Sequence, residues 1–199
     1  MARRSDHTRE ELRGLILDAT RSLIRAEGVG AVSTRKITGK IGYTAGTLYQ
    51  IFASMDHLID AVNTSTLNAL YLSSRIHADP QNAEESLRKL AQAFLRFTEE
   101  HPNEWDAVIS YPFGADHVLS KGYTDEVRNL LGMISTSVRD LYDDAEDPRK
   151  AEDVVALWCG IYGLFSLMSS RRLVTGHAPE RIIEVLADTF LKAKKTTRD

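Results

Sequence analysis

Side chains that can hydrogen-bond to a polyanion are concentrated in one short stretch, residues 44–50. Three hydroxyl groups there suit phosphate oxygens, and the amide of Gln50 can pair with an adenine edge. An alanine and a glycine let the backbone come close to a groove. The stretch therefore predicts contact with nucleic acid through Thr44, Ala45, Gly46, Thr47, Tyr49 and Gln50.

Two short helices must position these side chains. Residues 33–41 predict one helix that ends at Gly42, and residues 44–52 predict a second that begins at a Thr44 cap. The glycine-containing turn between them makes the pair a helix-turn-helix. The side chains that face back into this module are Leu48, Ile51 and Phe52, with Ile37 and Ile41 as partners.

Longer helices flank the pair on both sides. Apolar residues recur at intervals of three and four over residues 8–27, with Thr8 and Glu11 placed as a capping box and Gly28 as a stop. After the pair, Ser54 is placed to cap another long helix.

The run STRKITGKIGYTAGTLYQIFASMDHLIDAV, residues 33–62, resembles the DNA-binding segment of the TetR family of bacterial transcriptional regulators. Its Thr-Arg opening, its Gly-Tyr-Thr-x-Gly-Thr-Leu-Tyr run and its Phe-x-Ser exit follow the family pattern, over about residues 10–62 in all. The resemblance implies that Thr34, Arg35 and Lys36 contact DNA together with the second helix. It divides the chain into a DNA-binding domain, 1–54, and a helical ligand-binding and dimerisation domain, 55–199.

Two positions depart from that pattern. Met55 stands where the family usually has a lysine that helps to hold phosphate, and Lys36 and Lys40 are the candidates to compensate for it. Gln50 stands where an aromatic residue or histidine is more common, so its base preference need not follow the family.

The charge distribution agrees with a DNA-binding N-terminus. Residues 1–50 hold nine basic and five acidic side chains, a balance of +4, whereas the remaining 149 residues balance to −7.

A single cysteine excludes an internal disulfide. The N-terminus has no apolar signal region and no apolar run approaches the length of a membrane helix, so we expect a cytoplasmic protein with no membrane contact.

The rest of the chain also has helical periodicity, and no run alternates as a strand does. Prolines fall at the first turns of three predicted helices, and residues 111–117 predict an irregular loop. The predicted helices lie near 82–100, 102–110, 122–143, 149–174 and 179–195. The fold class is therefore all-α: an N-terminal three-helix helix-turn-helix domain and a C-terminal helical bundle.

Aromatic side chains in the C-terminal body are candidates for an effector pocket. Such residues at helical spacing more often form core, but as a set they are consistent with an apolar cavity that the 111–117 loop closes, suited to a hydrophobic or aromatic small molecule. The set is Phe94, Phe97, Trp105, Tyr111, Phe113, Trp158, Tyr162 and Phe165.

Residues 156–170 are almost all apolar or small, which predicts a helix buried on most sides, with close approach at Gly160 and Gly163. The Trp-Cys-Gly run at 158–160 resembles the Trp-His-Gly signature of one TetR subgroup, with Cys159 in place of histidine.

The last two helices, about 149–195, are the natural homodimer interface, and a two-fold dimer reads a palindrome.

Catalysis finds little support in the sequence. The six histidines are dispersed without a metal-ligand pair, no phosphate-binding glycine loop occurs, and Cys159 lies in an apolar run where thiols tend to be inert. No enzyme activity, metal or cofactor is predicted. The favoured function is a ligand-responsive repressor that binds a palindromic operator as a dimer; a helical adaptor without sequence-specific DNA binding and a transcriptional activator are the alternatives.

Overall fold

The computed structural model describes residues 7–142, 147–169 and 176–196, and within these ranges all regular secondary structure is helical. The all-α prediction is confirmed. Short 3-10 turns follow the first, fourth and seventh helices. The helices are α1 (Arg9–Glu27), α2 (Thr34–Ile41), α3 (Ala45–Ile51), α4 (Met55–Ser74), α5 (Ala83–Glu100), α6 (Pro102–Ser110), α7 (Lys121–Ser137), α8 (Pro148–Ser169) and α9 (Pro179–Thr196).

The start and end of α1 follow local sequence signals. The Thr8 hydroxyl accepts a hydrogen bond from the Glu11 amide at 3.2 Å, and the Glu11 carboxylate accepts one from the Thr8 amide at 2.6 Å. These reciprocal bonds satisfy two amide groups that the first turn leaves without helical partners. Gly28 ends the helix at a φ of 80°. Both predicted signals are confirmed.

Two predicted helix ends do not coincide with helix ends that the structure describes. The helix predicted to reach residue 143 ends at Ser137, so that boundary was wrong. Val138 leaves the helical conformation at a φ of −103° and a ψ of 10°, and a 3-10 turn follows over Arg139–Leu141. The predicted extension of α8 to residue 174 falls outside the described residues, which end at Ser169 in this helix.

The chain packs as two compact units. The first contains Met1–Thr66 and Pro102–Tyr123, and the second contains Leu67–His101 and Thr124–Asp199. The first unit is thus larger than the predicted DNA-binding segment, because α6 and the loop after it pack with α1 and the first part of α4. The functional division at residue 54 stays a prediction.

Buried apolar side chains form the core of the first unit. Each comes from the inward side of its helix, which leaves the opposite side of the short helices in contact with solvent. The members from α1 to α4, with one from α6, are Leu12, Ile16, Ala19, Leu23, Ile24, Ile37, Leu48, Phe52, Leu58, Ile59, Val62 and Ala107.

In the second unit, α8 buries one stripe, which includes Val154, Leu157 and Phe165. The prediction that this helix is buried on most sides was wrong for the single chain. Val155 and Leu167 are 48% and 44% exposed, and Cys159 is exposed rather than enclosed. A helix that is apolar all round can bury its remaining faces only against a further partner.

Close packing in the second unit involves one of the two predicted glycines. A Cβ atom on Gly160 would lie 3.1 Å from the side chain of Leu186 in α9, whereas Gly163 has no neighbour within 4 Å of that position. By length and composition, residues Arg149–Ser169 would suffice to cross a membrane, so the expectation that no run approaches the length of a membrane helix was wrong. The core helix of a soluble protein passes the same test.

Candidate nucleic-acid interface

The turn between α2 and α3 is built by capping. The Ser33 hydroxyl accepts from the Lys36 amide at 3.3 Å and begins α2. Gly42 ends α2 in the left-handed region, at a φ of 75°, which glycine adopts without strain. The Thr44 hydroxyl then accepts from the Thr47 amide at 3.3 Å and begins α3. The helix-turn-helix prediction is confirmed at the level of its caps.

Helix α3 has one anchored face and one open face. Leu48 is fully buried against the core of the first unit, where Ile37 of α2 is also fully buried. On the open face Tyr49 is 47% exposed and Gln50 is exposed as well. Ala45 and Gly46 leave the first turn of this face without bulk, so a ligand can approach the backbone there.

Two pairs of hydroxyl groups are arranged along this open face. The Thr34 and Tyr49 oxygens lie 2.9 Å apart, which joins α2 to α3. The Thr44 and Thr47 oxygens lie 3.0 Å apart at the N-terminal end of α3. Each pair is held in place before any ligand arrives, and the helix N-terminus adds a positive potential beside the second pair.

The lysines expected to compensate for Met55 have protein partners. The Lys36 ammonium lies 2.7 Å from a carboxylate oxygen of Glu27, and Lys40 donates to the Ser22 hydroxyl at 2.6 Å. Arg35 is exposed and has no ion-pair partner among the described residues. Of these three cations Arg35 is therefore the one available without breaking an internal contact.

The sequence interpretation missed the carboxylates of Asp56 and Asp60, which tie the start of α4 to the loop after α6. Asp56 accepts from the Tyr111 phenol at 2.7 Å and from the Gly114 amide at 3.0 Å. A Cβ atom on Gly114 would lie 3.1 Å from that carboxylate, so glycine permits the approach. These donors hold the pKa of Asp56 below its usual value.

Asp60 is 2% exposed and accepts two hydrogen bonds from Ser120, from its amide at 2.8 Å and its hydroxyl at 2.6 Å. The imidazole Nε2 of His117 lies 3.2 Å from the same carboxylate, and its ring stacks on Phe113. The contacts to Asp60 join residues 57 or 60 positions apart in the sequence. No local pattern in the sequence signals them, so only the folded chain reveals this cluster.

The predicted aromatic pocket residues fall into two groups. Trp105, Tyr111 and Phe113 belong to the first unit, where Trp105 is buried and the other two pack against the core. The remaining five belong to the second unit. There Phe94 meets Trp158 edge to face at 6.2 Å, and Trp158 lies 6.0 Å from Tyr162. Their role in binding an effector stays a prediction.

A groove in the second unit lies between α5 and α9 and has a volume of about 270 Å³. Its walls combine small apolar side chains with charged ends, where Arg88 is held by Asp188 at 2.6 Å. None of the predicted aromatic residues lines it. The lining residues are Arg88, Ala91, Gln92, Leu95, Glu180, Ile183, Glu184 and Ala187.

Both parts of the chain match known families. Residues 16–62 match the family described as bacterial regulatory proteins, tetR family, and residues 87–190 match the tetracyclin repressor-like C-terminal domain. The chain belongs to the TetR family. It is therefore a DNA-binding transcriptional regulator with a ligand-responsive C-terminal domain, and it forms homodimers. The family predicted from residues 33–62 is confirmed.

Solved structures share the fold of this TetR-family chain at low sequence identity. A TetR transcriptional regulator from Rhodococcus sp. RHA1 superposes with a TM-score of 0.69 at 16% identity, over 92% of this chain and 98% of that one. The fatty acid degradation regulator FadR from Bacillus halodurans gives 0.66 at 11% identity, over 89% and 97%. RolR, solved in complex with resorcinol, gives 0.64 at 16%, over 93% and 88%. No curated protein matches the sequence.

Proposed function

We propose that this TetR-family regulator is a repressor that reads a palindromic operator with the open face of α3 and the first turn of α2. The observation that carries the proposal is the hydrogen bond between Thr34 and Tyr49, which fixes hydroxyls of both helices on one solvent-facing surface. The proposed DNA contacts are Thr34, Arg35, Lys36, Thr44, Ala45, Gly46, Thr47, Tyr49 and Gln50.

The roles of these residues follow from their chemistry. The paired hydroxyls and Arg35 hold phosphates and set the position of α3. These phosphate contacts carry no sequence information by themselves. Gln50 is the base reader, because its amide can donate to and accept from one adenine edge. Lys36 must release Glu27 to reach a phosphate, so its contribution is smaller than that of Arg35.

Homodimerisation through α8 and α9 supports the palindromic operator. Val155, Leu167 and Val185 are each between 44% and 49% exposed, and all three are apolar. A second copy of the two helices would cover these side chains in a four-helix bundle. Two copies of α3 related by a two-fold axis then read two half-sites.

The second unit is the proposed place of the effector. RolR was solved with resorcinol, an aromatic diol. In this chain the Phe94, Trp158 and Tyr162 rings form one cluster, which would suit a hydrophobic or aromatic molecule. An effector changes DNA affinity only if it binds the free and DNA-bound conformations unequally. We expect α4 to transmit the change, and we expect a cytoplasmic protein without enzyme activity.

Transcription in vitro tests the repressor assignment. The template would carry the genomic fragment that the protein selects, together with the promoter that neighbours this fragment in the genome. A repressor lowers transcript yield in proportion to operator occupancy, whereas an activator raises it. A rise in yield at saturating protein would overturn repression while leaving DNA recognition in place.

A further inference from the structure

Cations of the first unit differ in what they contact. Several are held by carboxylates: Arg21 by Asp18 at 3.1 Å, Arg25 by Glu104 at 2.8 Å and Lys36 by Glu27 at 2.7 Å. Arg9 and Arg13 of α1 are exposed, and neither has a carboxylate partner among the described residues. Their charges are therefore left for an external anion.

Both guanidinium groups are held beside the C-terminal end of α3. The Arg9 Nη2 atom lies 3.4 Å from the backbone carbonyl oxygen of Gln50. The Arg13 Cζ atom lies 5.4 Å from the centre of the Phe52 ring. The two arginines are one helical turn apart and so share a face of α1. Arg13 also borders an open crevice of about 620 Å³, so its guanidinium is accessible.

The length of α3 relates this placement to DNA. Seven helical residues span about 10 Å, and the major groove is about 12 Å wide. When the axis of α3 crosses the groove rather than following it, a phosphate backbone lies beyond each end of the helix. The Thr44–Thr47 hydroxyl pair serves the N-terminal end. Arg9 and Arg13 are the cations beside the other end.

We infer that Arg9 and Arg13 bind the DNA phosphates that flank the C-terminal end of α3, on the side of the groove opposite Thr44. The inference rests on the proposed DNA contact of α3. It assigns to α1, a helix outside the helix-turn-helix, a share of the electrostatic binding. The neutral contacts to the Gln50 carbonyl and the Phe52 ring orient the side chains without cancelling their charge.

A purely structural role for the same arginines makes a different prediction. A cation near a helix C-terminus stabilises the helix by its dipole, and a guanidinium on an aromatic ring packs favourably. In that case replacement would lower thermal stability and leave the number of DNA charges neutralised unchanged. Counterion release separates the two roles, because the dependence of affinity on salt counts phosphate contacts.

The experiment measures binding of the full-length dimer to a 30-base-pair duplex of mixed sequence between 50 and 200 mM KCl, by fluorescence anisotropy. The variants are Arg9→Gln, Arg13→Gln and the corresponding Arg→Lys changes, and Arg96→Gln at an exposed position of α5 is the charge-matched control. A dimer loses two contacts per substitution, so each Gln variant should reduce the slope of log K against log [salt] by about 2. The affinity ratio of wild type to variant then shrinks about tenfold over this salt range.

The outcomes separate this inference from the proposed function. Reduced slopes in both Gln variants, wild-type slopes in the Lys variants and in Arg96→Gln, and unchanged thermal midpoints support the phosphate contacts. A steep wild-type slope that the Gln variants retain overturns the inference and leaves the α3 assignment standing. A lower thermal midpoint with an unchanged slope assigns the arginines a structural role instead. A wild-type protein with no salt-dependent binding contradicts the proposed DNA contact itself, and this inference with it.

Discussion

The hydroxyl oxygen of Thr34 lies 2.9 Å from the phenol oxygen of Tyr49, and this contact joins the first turn of α2 to the open face of α3. A pair of hydroxyls has two protons, of which the bond between them uses one. The other proton remains available to donate to a phosphate oxygen. The pair is thus both a brace between two short helices and a phosphate ligand, and its removal should affect DNA binding more than folding.

Tyr49→Phe removes the phenol oxygen and keeps the ring. Because Tyr49 is 47% exposed, the free energy of unfolding should change little. Operator affinity should fall about thirtyfold, because the dimer loses one hydrogen bond of about 1 kcal/mol in each of its two half-sites. Anisotropy titration on the selected operator measures the loss, with Tyr71→Phe in α4 as the control. If Tyr49→Phe and the wild-type protein bind the operator with equal affinity, the phenol does not bind a phosphate.

Gln50→Ala tests base readout. Loss of an amide that contacts a base edge should relax the preference at one position of each half-site by about 1–3 kcal/mol. Affinity for non-specific DNA should change much less, since phosphate contacts remain. The comparison requires titrations on the operator and on single-base variants of it. If affinity drops equally on all of these sequences, Gln50 is not a base reader.

Asp60→Asn tests the cluster that ties α4 to the loop after α6. In the wild-type protein both oxygens of Asp60 accept hydrogen bonds, with Ser120 and His117 adjacent. An asparagine has only one acceptor oxygen, so its NH₂ group must face one of these donors. The expected loss in the free energy of unfolding is about 1–3 kcal/mol. Urea denaturation measures it. Asp18→Asn, at a side chain that is 74% exposed, should cost far less. Equal losses of unfolding free energy in the two variants would show that the buried hydrogen bonds of Asp60 stabilise the fold no more than an exposed carboxylate does.

The Tyr111 phenol should make stability depend on alkaline pH. Burial and the hydrogen bond to Asp56 raise its pKa to about 12, from an ordinary value near 10. Below pH 10 both folded and unfolded chains hold the proton, so the stabilisation is fully present. Between pH 10 and 12 the unfolded chain loses the proton first, and the free energy of unfolding falls.

The measurement for this prediction is the urea midpoint of wild type and Tyr111→Phe from pH 8 to 12. The variant cannot ionise at this position, so the stability difference between the two proteins should shrink as pH rises above 10. A difference that stays constant over the whole range would show that the phenol has an ordinary pKa in the folded chain.

Val155→Asp tests the dimer face. A carboxylate in the middle of an apolar interface has to be desolvated, so the dimer should dissociate at micromolar concentration. Sedimentation velocity reports the change in mass. Val118→Asp is the matched control, because Val118 lies in a loop of the first unit and is 83% exposed. A dimer that survives Val155→Asp would place the interface elsewhere.

Local signals in the sequence were sufficient for the DNA-binding segment. Thr8 and Thr44 cap the helices that they were predicted to begin, Ser33 caps α2, and Gly28 and Gly42 end α1 and α2 as predicted. Each signal acts within a few residues, so the pattern alone determines the outcome. The spacing of Ile37 and Leu48 likewise predicted which face is buried.

Long-range contacts could not be predicted in the same way. Asp56 and Asp60 look like ordinary residues of an amphipathic helix, and only folding brings Tyr111 and Ser120 to them. The burial of α8 was misjudged for a related reason: hydrophobicity shows that Val155 needs a covering partner, but not whether the same chain or a second copy provides it. Arg9 and Arg13 belong to no sequence motif, and their placement beside α3 depends on how α1 packs.

Selection of genomic DNA fragments by the purified dimer, followed by salt titration on the most enriched fragment, shows whether α3 reads an operator sequence. We expect a palindrome with half-sites about one helical turn apart and a steep decrease in affinity between 50 and 200 mM KCl. Tyr49→Ala, used in parallel, should fail to enrich the same fragment. No enrichment of any sequence at low salt, or enrichment that Tyr49→Ala reproduces, would contradict the assignment of α3 as the reading helix.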